Sequence, residues 1–172
     1  MIISKPQPNE YGSFYQGYMD FFDEKANLFA LLSERLDFMK DFYGKISEEK
    51  SKTAYAEGKW SIREVLGHII DCERIMAYRA LCVARGEKKA LPGFEQDDYM
   101  QNANFHSRTL KSLLEEFILV RQTTIQLFEN LDENAINQLG NANNNAVSVR
   151  ALCGIVVGHE IHHTNIIAER YL

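Results

Sequence analysis

Apolar residues recur every three or four positions over four long stretches of the chain, the spacing that places them on one face of an α-helix. The stretches run from about Ala26 to Tyr43, from Ser61 to Arg85, from Ser107 to Asn130, and from Ser148 nearly to Leu172. A glycine follows each of the first two stretches, where glycine commonly ends a helix. The pattern predicts an all-α protein, a four-helix bundle with additional short helices.

Side chains that can cap a helix stand at the predicted starts. Ser61 and Glu64 have the spacing of a capping box, in which the hydroxyl and the carboxylate each bond the backbone of the other residue. Ser107 and Ser148 are predicted to cap the third and fourth helices by the same kind of bond.

The segments outside the four helices carry three further patterns. Residues 11–22 are rich in aromatic side chains, and helical spacing would place Phe14, Tyr18, Phe21 and Phe22 on one face. Such a face can fill the core or contact a partner, for example a second copy of the chain. The loop 87–106 is long for a compact domain, which is compatible with a lid. Residues 141–145 are predicted to form a polar loop.

Length and composition narrow the functional classes. The chain has 172 residues, a length that predicts a single domain over residues 1–172. Its net charge is −5 and it has no basic cluster, which argues against binding nucleic acid or an anionic membrane. The three cysteines form no CxxC pair and no apolar run is long enough for a bilayer, so we expect a cytoplasmic protein without disulfides.

Two histidines of the fourth helix have the spacing of a metal chelate. His159 and His163 are four residues apart, so they lie one turn apart on the same helical face. Imidazoles at this spacing can bind one ion together. They share a stripe with apolar residues that should face the bundle interior, whereas His162 is rotated by about 100° and should point elsewhere. A hydrogen-bonded histidine pair in the core is the alternative.

His68 of the second helix supplies a third inward imidazole. It shares an inward stripe with Val65, Cys72 and Ile75. Three histidines from two helices can form a metal site with open positions for water or substrate. Cys72, four residues after His68, is either a soft metal ligand or a small core residue.

The segment 159–163 also matches HExxH, the pattern of zinc peptidases. Peptidases of this kind need a third ligand further along the chain, and only nine residues follow His163. Glu169 occupies the position of the third histidine in one such class, so we reject a peptidase.

Other polar residues near these motifs are less specific. Asp71 lies close to one turn after His68 and could act as a base or orient an imidazole, or it could bond the Trp60 indole or a helix end. His106 lies in a loop and receives no role. Glu73, Arg74 and Arg79 predict a charge cluster, in which an inward arginine could bind an anionic substrate.

Two runs of sequence together resemble the DinB/YfiT-like superfamily. The first is Lys59 to Arg74, with His68 at its centre, and the second runs from Gly158 to His163 and on to the C-terminal Glu-Arg-Tyr-Leu. The Leu-Pro-Gly-Phe turn at 91–94, Asp97 and the region around Arg121 resemble the superfamily as well. The resemblance implies a four-helix bundle, often dimeric, with a divalent metal, commonly zinc or nickel, on His68, His159 and His163.

The superfamily includes metal-dependent hydrolases and low-molecular-weight thiol S-transferases such as bacillithiol transferases. The resemblance therefore implies a metal-dependent enzyme, and we expect a thiol S-transferase with Asp71 as its candidate base and a small-molecule thiol or electrophile as its partner. A hydrolase and a non-enzymatic metal-binding stress-response module are the alternatives. The aromatic N-terminal segment and the resemblance both predict a homodimer.

Overall fold

The computed structural model describes all 172 residues, and its four long helices form the frame of the molecule. The eight α-helices are α1 (Gln16–Met19), α2 (Leu28–Gly44), α3 (Glu48–Ser51), α4 (Ile62–Ala84), α5 (Gln96–Asn102), α6 (Leu110–Glu129), α7 (Glu133–Ile136) and α8 (Val149–Arg170). Two short strands, β1 (Leu139–Ala142) and β2 (Asn145–Ser148), form an antiparallel hairpin just before α8. Short 3-10 turns lie at Pro8–Glu10, Ser13–Tyr15 and Phe105–Ser107.

The four long helices pack in an order that differs from their order in the chain. Both α2 and α4 pack extensively against α6 and α8, whereas α2 has little contact with α4. The pairs α2/α4 and α6/α8 therefore lie across the diagonals of the bundle, whereas α4 and α6 are neighbours. This arrangement makes α4 and α8 neighbours. The face of α4 that carries His68 therefore lies against the face of α8 that carries His159.

Local sequence accounts for most helix starts. The Ser61 hydroxyl accepts a hydrogen bond from the Glu64 N–H and the Glu64 carboxylate accepts one from the Ser61 N–H, so the predicted capping box begins α4. Ser148 caps α8 as predicted, by accepting from the Ala151 N–H. The prediction for α6 was wrong by two residues: Thr109, not Ser107, is its cap, because Ser107 belongs to a preceding 3-10 turn.

Apolar side chains pack into two clusters with a polar layer between them. One cluster lies around the hairpin, the N-terminal segment and the first half of α8, and the other around the first halves of α4 and α6. Buried polar residues of α4, α6 and α8 lie between them, together with the half-buried Arg35 of α2. None of the helices combines the length and the apolarity that crossing a membrane requires.

The N-terminal segment forms an interrupted helix, so the aromatic face predicted for it is only partly correct. Phe14 and Phe21 are exposed, whereas Met19 and Phe22 are buried. The segment packs against α8 at Gly158, where a Cβ atom would lie 2.6 Å from the Cβ of Tyr18. Glycine permits this close approach, and the Tyr18 ring consequently meets the imidazole of His159 edge-on at 5.7 Å between ring centroids.

Two connections predicted as loops contain regular structure. Helix α5 lies within residues 87–106, and a 3-10 turn begins near the end of this segment, at Phe105. The polar loop 141–145 is the tip of the hairpin, where Asn143 and Asn144 adopt φ values of 51° and 60°. Such a two-residue turn requires positive φ at both positions, and asparagine accepts it more readily than most residues. Asn-Asn between two short runs was the signal that could have revealed the hairpin.

Candidate metal centre

The structure brings His68, His159 and His163 together. The Nε2 atom of His159 lies 3.1 Å from the Nε2 atom of His68 and 3.1 Å from that of His163. The three ring centroids are between 4.5 and 4.9 Å apart. The cluster forms because α4 and α8 are neighbours and because His159 and His163 are separated by one helical turn.

These contacts fit a shared ion better than a hydrogen-bonded histidine pair. An imidazole nitrogen has a single in-plane site, which carries either a proton or a lone pair. The Nε2 atom of His159 therefore cannot make a good hydrogen bond to both neighbours at once. Nitrogens that bind one ion at about 2.0–2.1 Å are themselves about 3 Å apart, so the observed spacing suits a common cation.

Burial keeps the three imidazoles neutral, the form that a metal requires. It lowers the pKa of His68 to about 4, although the carboxylate of Asp97 opposes this shift. It lowers the pKa of His163 to about 3, and repulsion by His68 and His162 adds to the effect. Burial and the neighbouring histidines also hold the pKa of His159 well below its usual range.

Cys72 lies beside the cluster, where it can serve as a fourth ligand. Its Sγ atom is 3.7 Å from the His68 ring nitrogens, and donor atoms of His68, Cys72 and His159 all lie within 4.8 Å of one another. Burial, helped by the charge of Asp71, raises the pKa of the Cys72 thiol to about 12. A protonated thiol at this position behaves as a small core residue, so both interpretations from the sequence stay open.

The two remaining residues of the 159–163 motif have other surroundings. The imidazole of His162 is half-buried beside Tyr18, at 5.5 Å between ring centroids. Glu160 faces away from the histidines and accepts hydrogen bonds from Arg35 and Arg121. The glutamate that a zinc peptidase would use as its base is therefore bound in ion pairs, which agrees with rejecting that class.

The predicted base Asp71 lies at the edge of this region. Its carboxylate is 3.6 Å from the guanidinium of Arg74 and is about one third exposed. Burial raises its pKa despite the attraction of Arg74. Asp71 does not line the cavity beside the histidines, and a catalytic role for it stays a prediction.

The predicted charge cluster divides into three separate contacts. Glu73 forms two hydrogen bonds with Arg121 of α6, at 2.8 and 3.0 Å. Arg74 pairs with Glu116 at 2.7 Å. Arg79 donates to the backbone carbonyl of Pro92 at 2.6 Å and has no carboxylate partner. Arg79 is thus the inward arginine whose position the sequence left open.

A cavity of about 320 Å³ opens beside His159 and Cys72. Its wall combines α4 and α8 with the N-terminal segment, the tip of the hairpin and the start of α5. Sequence reasoning missed Tyr15 and Tyr18 as wall residues, because their segment could not be placed against α8 from periodicity. Phe94 and Asp97, from the segment that the sequence suggested as a lid, line the same cavity.

Comparison with known proteins identifies the family. The family model of the DinB superfamily matches residues 31–167, which include all three histidines. The chain belongs to the DinB superfamily. A candidate metal-dependent hydrolase of Oceanobacillus iheyensis is 29% identical over 123 residues, or 67% of this chain and 66% of that protein, slightly under two thirds of its length.

Two solved structures of DinB-like proteins share the fold. YfiT of Bacillus subtilis, described as a candidate metal-dependent hydrolase with an unusual four-helix bundle topology, has a TM-score of 0.75 at 17% identity and covers 85% of both chains. The DinB-like protein YjoA of Bacillus subtilis has a TM-score of 0.59 at 20% identity and covers 83% of this chain and 87% of its own. The predicted four-helix bundle is therefore confirmed.

Proposed function

We propose that this DinB-superfamily protein is a metal-dependent enzyme in which His68, His159 and His163 hold a divalent cation, and that it transfers low-molecular-weight thiols to electrophiles. The observation that carries the proposal is the position of the His159 Nε2 atom, 3.1 Å from two other imidazole nitrogens. Three neutral nitrogens converging beside a cavity form a donor set with room for a further ligand.

A divalent cation at this position would lower the pKa of a bound thiol and hold the thiolate for attack. The chain itself provides the surroundings for that chemistry. Tyr18 and Trp60 pack against His159 and His68 and restrict the imidazole rings, with ring centroids 5.7 and 4.9 Å apart. The cavity next to His159 is large enough for a small ligand and is partly enclosed by α5.

Two of the carboxylates near the site, Glu73 and Asp71, are poorly placed to act as the base of a hydrolase. A hydrolase gains from a base that takes a proton from the attacking water. Glu73 lines the cavity, but both of its oxygens accept hydrogen bonds from Arg121. Asp71 lies outside the cavity wall. A thiolate bound to a cation needs no such base.

The test is metal-dependent conjugation. The zinc-loaded protein is incubated with several low-molecular-weight thiols and an electrophilic dye, and the thioether product is quantified. We expect product with the wild type and with His162→Ala, and none with His163→Ala. Absence of product with every thiol, from protein shown to contain one metal per chain, would contradict the transferase.

Hydrolysis is the second candidate function, and the exposed carboxylate of Asp97 favours it. Asp97 lines the cavity and raises the pKa of His68 electrostatically, although burial lowers that pKa overall. The name of the Oceanobacillus relative is in line with this chemistry. Ester and amide substrates tested with the same variants would reveal it. Tight metal binding without turnover of either substrate class would indicate a non-enzymatic metal-binding module.

The metal and the oligomeric state form part of the same proposal. We propose zinc or nickel, because imidazole and thiolate ligands suit these ions. Elemental analysis of protein purified without added metal should find one of them at one per chain.

We also propose a homodimer. The aromatic side chains of Phe14 and Phe21 are 59% and 41% exposed, which is unusual for phenylalanine, and a partner would cover them. Light scattering at micromolar protein should give twice the mass of the 19.8 kDa chain. A single-chain mass at that concentration would contradict the dimer.

A further inference from the structure

Arg79 differs from the other buried arginines of the protein. Arg63, Arg79 and Arg121 are each at least 95% buried. Arg63 pairs with Glu48 at 2.8 Å, and Arg121 pairs with Glu73 at the same distance. Arg79 has no carboxylate within 4.0 Å. It contacts the carbonyl of Pro92 and, at 3.7 Å, the sulfur of Met76, and it interacts with the neutral Tyr15 side chain.

A buried guanidinium without an anion is energetically unfavourable. Removing a charge from water costs several kcal/mol unless a counter-charge and hydrogen bonds replace the lost hydration. The carbonyl of Pro92 and the sulfur of Met76 engage two of the five N–H donors of Arg79, and neither partner carries a negative charge. The other donors and the positive charge stay available to a ligand.

Arg79 lines the same cavity as Cys72 and His159. It follows Cys72 by seven residues on α4, which places both on one helical face about 10 Å apart along the axis. Burial raises the pKa of both Tyr15 and Cys72, and the charge of Arg79 opposes the rise in each case. The positive field of Arg79 therefore acts inside this cavity.

The carboxylates of the cavity do not neutralise Arg79. Glu73 is bound by Arg121 through both oxygens, whereas Glu95 and Asp97 are exposed residues of the α5 region. The cavity thus has a buried cation on α4, the histidine cluster near its other end and free carboxylates at its exposed side. A ligand that fills it is expected to carry an anionic group toward Arg79.

We infer that the cavity binds a carboxylate-bearing thiol, with the carboxylate held by Arg79 and the sulfur directed at the histidine cluster. The assignment of the sulfur end rests on the proposed function. The assignment of the carboxylate end rests on Arg79 alone. Because the two ends are about 10 Å apart along α4, the ligand is an extended molecule and not a two-carbon thiol.

Matched acid and alcohol ligands separate the two assignments. Calorimetry on the zinc-loaded protein compares 3-mercaptopropionate, 6-mercaptohexanoate and 8-mercaptooctanoate with the mercaptoalcohols of equal chain length. We expect the acids to bind about tenfold more tightly than the alcohols at the two longer lengths, and the preference to vanish at the shortest. Equal affinities at every length would overturn the inference.

Variants at two arginines of α4 locate the anion. Arg79→Met should abolish the preference for the acid, and Arg79→Lys should retain part of it. Arg74→Met is the matched control, because Arg74 and Arg79 both line a second cavity of about 300 Å³ but Arg74 does not line the first. Loss of the preference in Arg74→Met would place the anion in the second cavity and contradict the inference.

Two further measurements distinguish a failure of the anion site from a failure of the proposed thiol function. If Arg79→Met does not fold, the wild-type ratios and Arg79→Lys still decide the carboxylate end. In the cobalt-loaded protein, a charge-transfer band reports sulfur bound to the metal. Absence of that band with both ligand types would contradict the thiol function, whereas an acid preference that depends on Arg79 would still support the anion site.

Discussion

Two buried polar clusters lie side by side on α8, and they differ in how their polar groups are compensated. His159 and His163 face α4, whereas Glu160 and Thr164, each one residue further along, face α2 and α6. The first cluster contains neutral groups whose nitrogen atoms face one another. The second contains opposite charges that satisfy one another.

The charged cluster is complete without any ligand. Arg121 is fully buried and contacts Glu73 and Glu160, and Arg35 adds a second cation 2.5 Å from Glu160. Burial disfavours the charged form of Arg121, but the two carboxylates outweigh it and raise its pKa. Two positive and two negative groups leave no net charge in this cluster.

The histidine cluster lacks such internal compensation. The contacts of His159 leave one nitrogen facing two others, and no carboxylate forms an ion pair with any of the three histidines. Buried polar groups in this bundle therefore have two distinct roles. The groups of the charged cluster satisfy one another and join the helices, whereas the histidine cluster is where we propose that a cation binds.

Removing a histidine should have the largest effect. Alanine at His68, His159 or His163 leaves two imidazoles, and we expect metal affinity to fall by more than about 100-fold, since even the loss of a residue that only orients a ligand costs 10–100-fold. Elemental analysis after dialysis measures the loss. His162→Ala is the control and should keep its metal. Equal loss in His162→Ala and His163→Ala would contradict the assignment of faces.

Breaking the charged cluster should destabilise the fold and leave the metal site intact. Arg121→Met leaves Glu73 buried without a cation and Glu160 with Arg35 alone, which should lower the free energy of unfolding by about 3–5 kcal/mol. Urea denaturation measures the change. Arg74→Met removes a partly exposed ion pair and should cost less than about 1 kcal/mol. Similar losses in both variants would show that the buried ion pair stabilises the fold no more than the exposed one.

Acid should weaken the histidine cluster first. The pKa of His68 is lowered to about 4 and that of His163 to about 3 in the folded chain, whereas unfolded histidine titrates near 6.5. The unfolded chain therefore binds more protons between these values, so the stabilisation is present above about pH 6.5 and is lost as the pH falls toward 4 and 3. For His68 the loss is roughly 3 kcal/mol.

Metal should steepen this dependence, because protons compete with the ion for the same nitrogens and because an ion bound only to the folded state stabilises it. The melting temperature is measured against pH with and without a chelator, and in the triple-alanine variant of the three histidines. The variant should lack both contributions and keep only acid destabilisation from carboxylates. An unchanged curve after confirmed metal removal would disprove the linkage between metal and folding.

Asp71→Asn should have the smallest effect. Its carboxylate lies against Arg74 and outside the cavity wall, so we expect unchanged metal content and a stability change below about 1 kcal/mol. We expect conjugation to slow by less than about tenfold. General base catalysis contributes about 100-fold or more, so a loss of that size with an altered pH profile would restore Asp71 as the base.

Much of the frame was predictable from local patterns. The four long helices follow from apolar spacing, and the starts of α4 and α8 follow from Ser61 and Ser148. These features depend on residues within one or two turns of each other. The hairpin, α5 and the broken N-terminal helix were missed or only partly predicted, because short elements depend more on their tertiary surroundings than on periodicity.

Helical periodicity alone fixes the face on which each of the three histidines lies, since there are 3.6 residues in every turn. Which residues of other helices contact those faces depends on how the helices pack in the tertiary structure. Because α4 packs against both α8 and α6, His68 meets His159 and Glu73 meets Arg121, whereas Arg79 is left without a carboxylate. Periodicity along one helix carries no information about distances between helices, so charge compensation in the core emerges only when the helices pack.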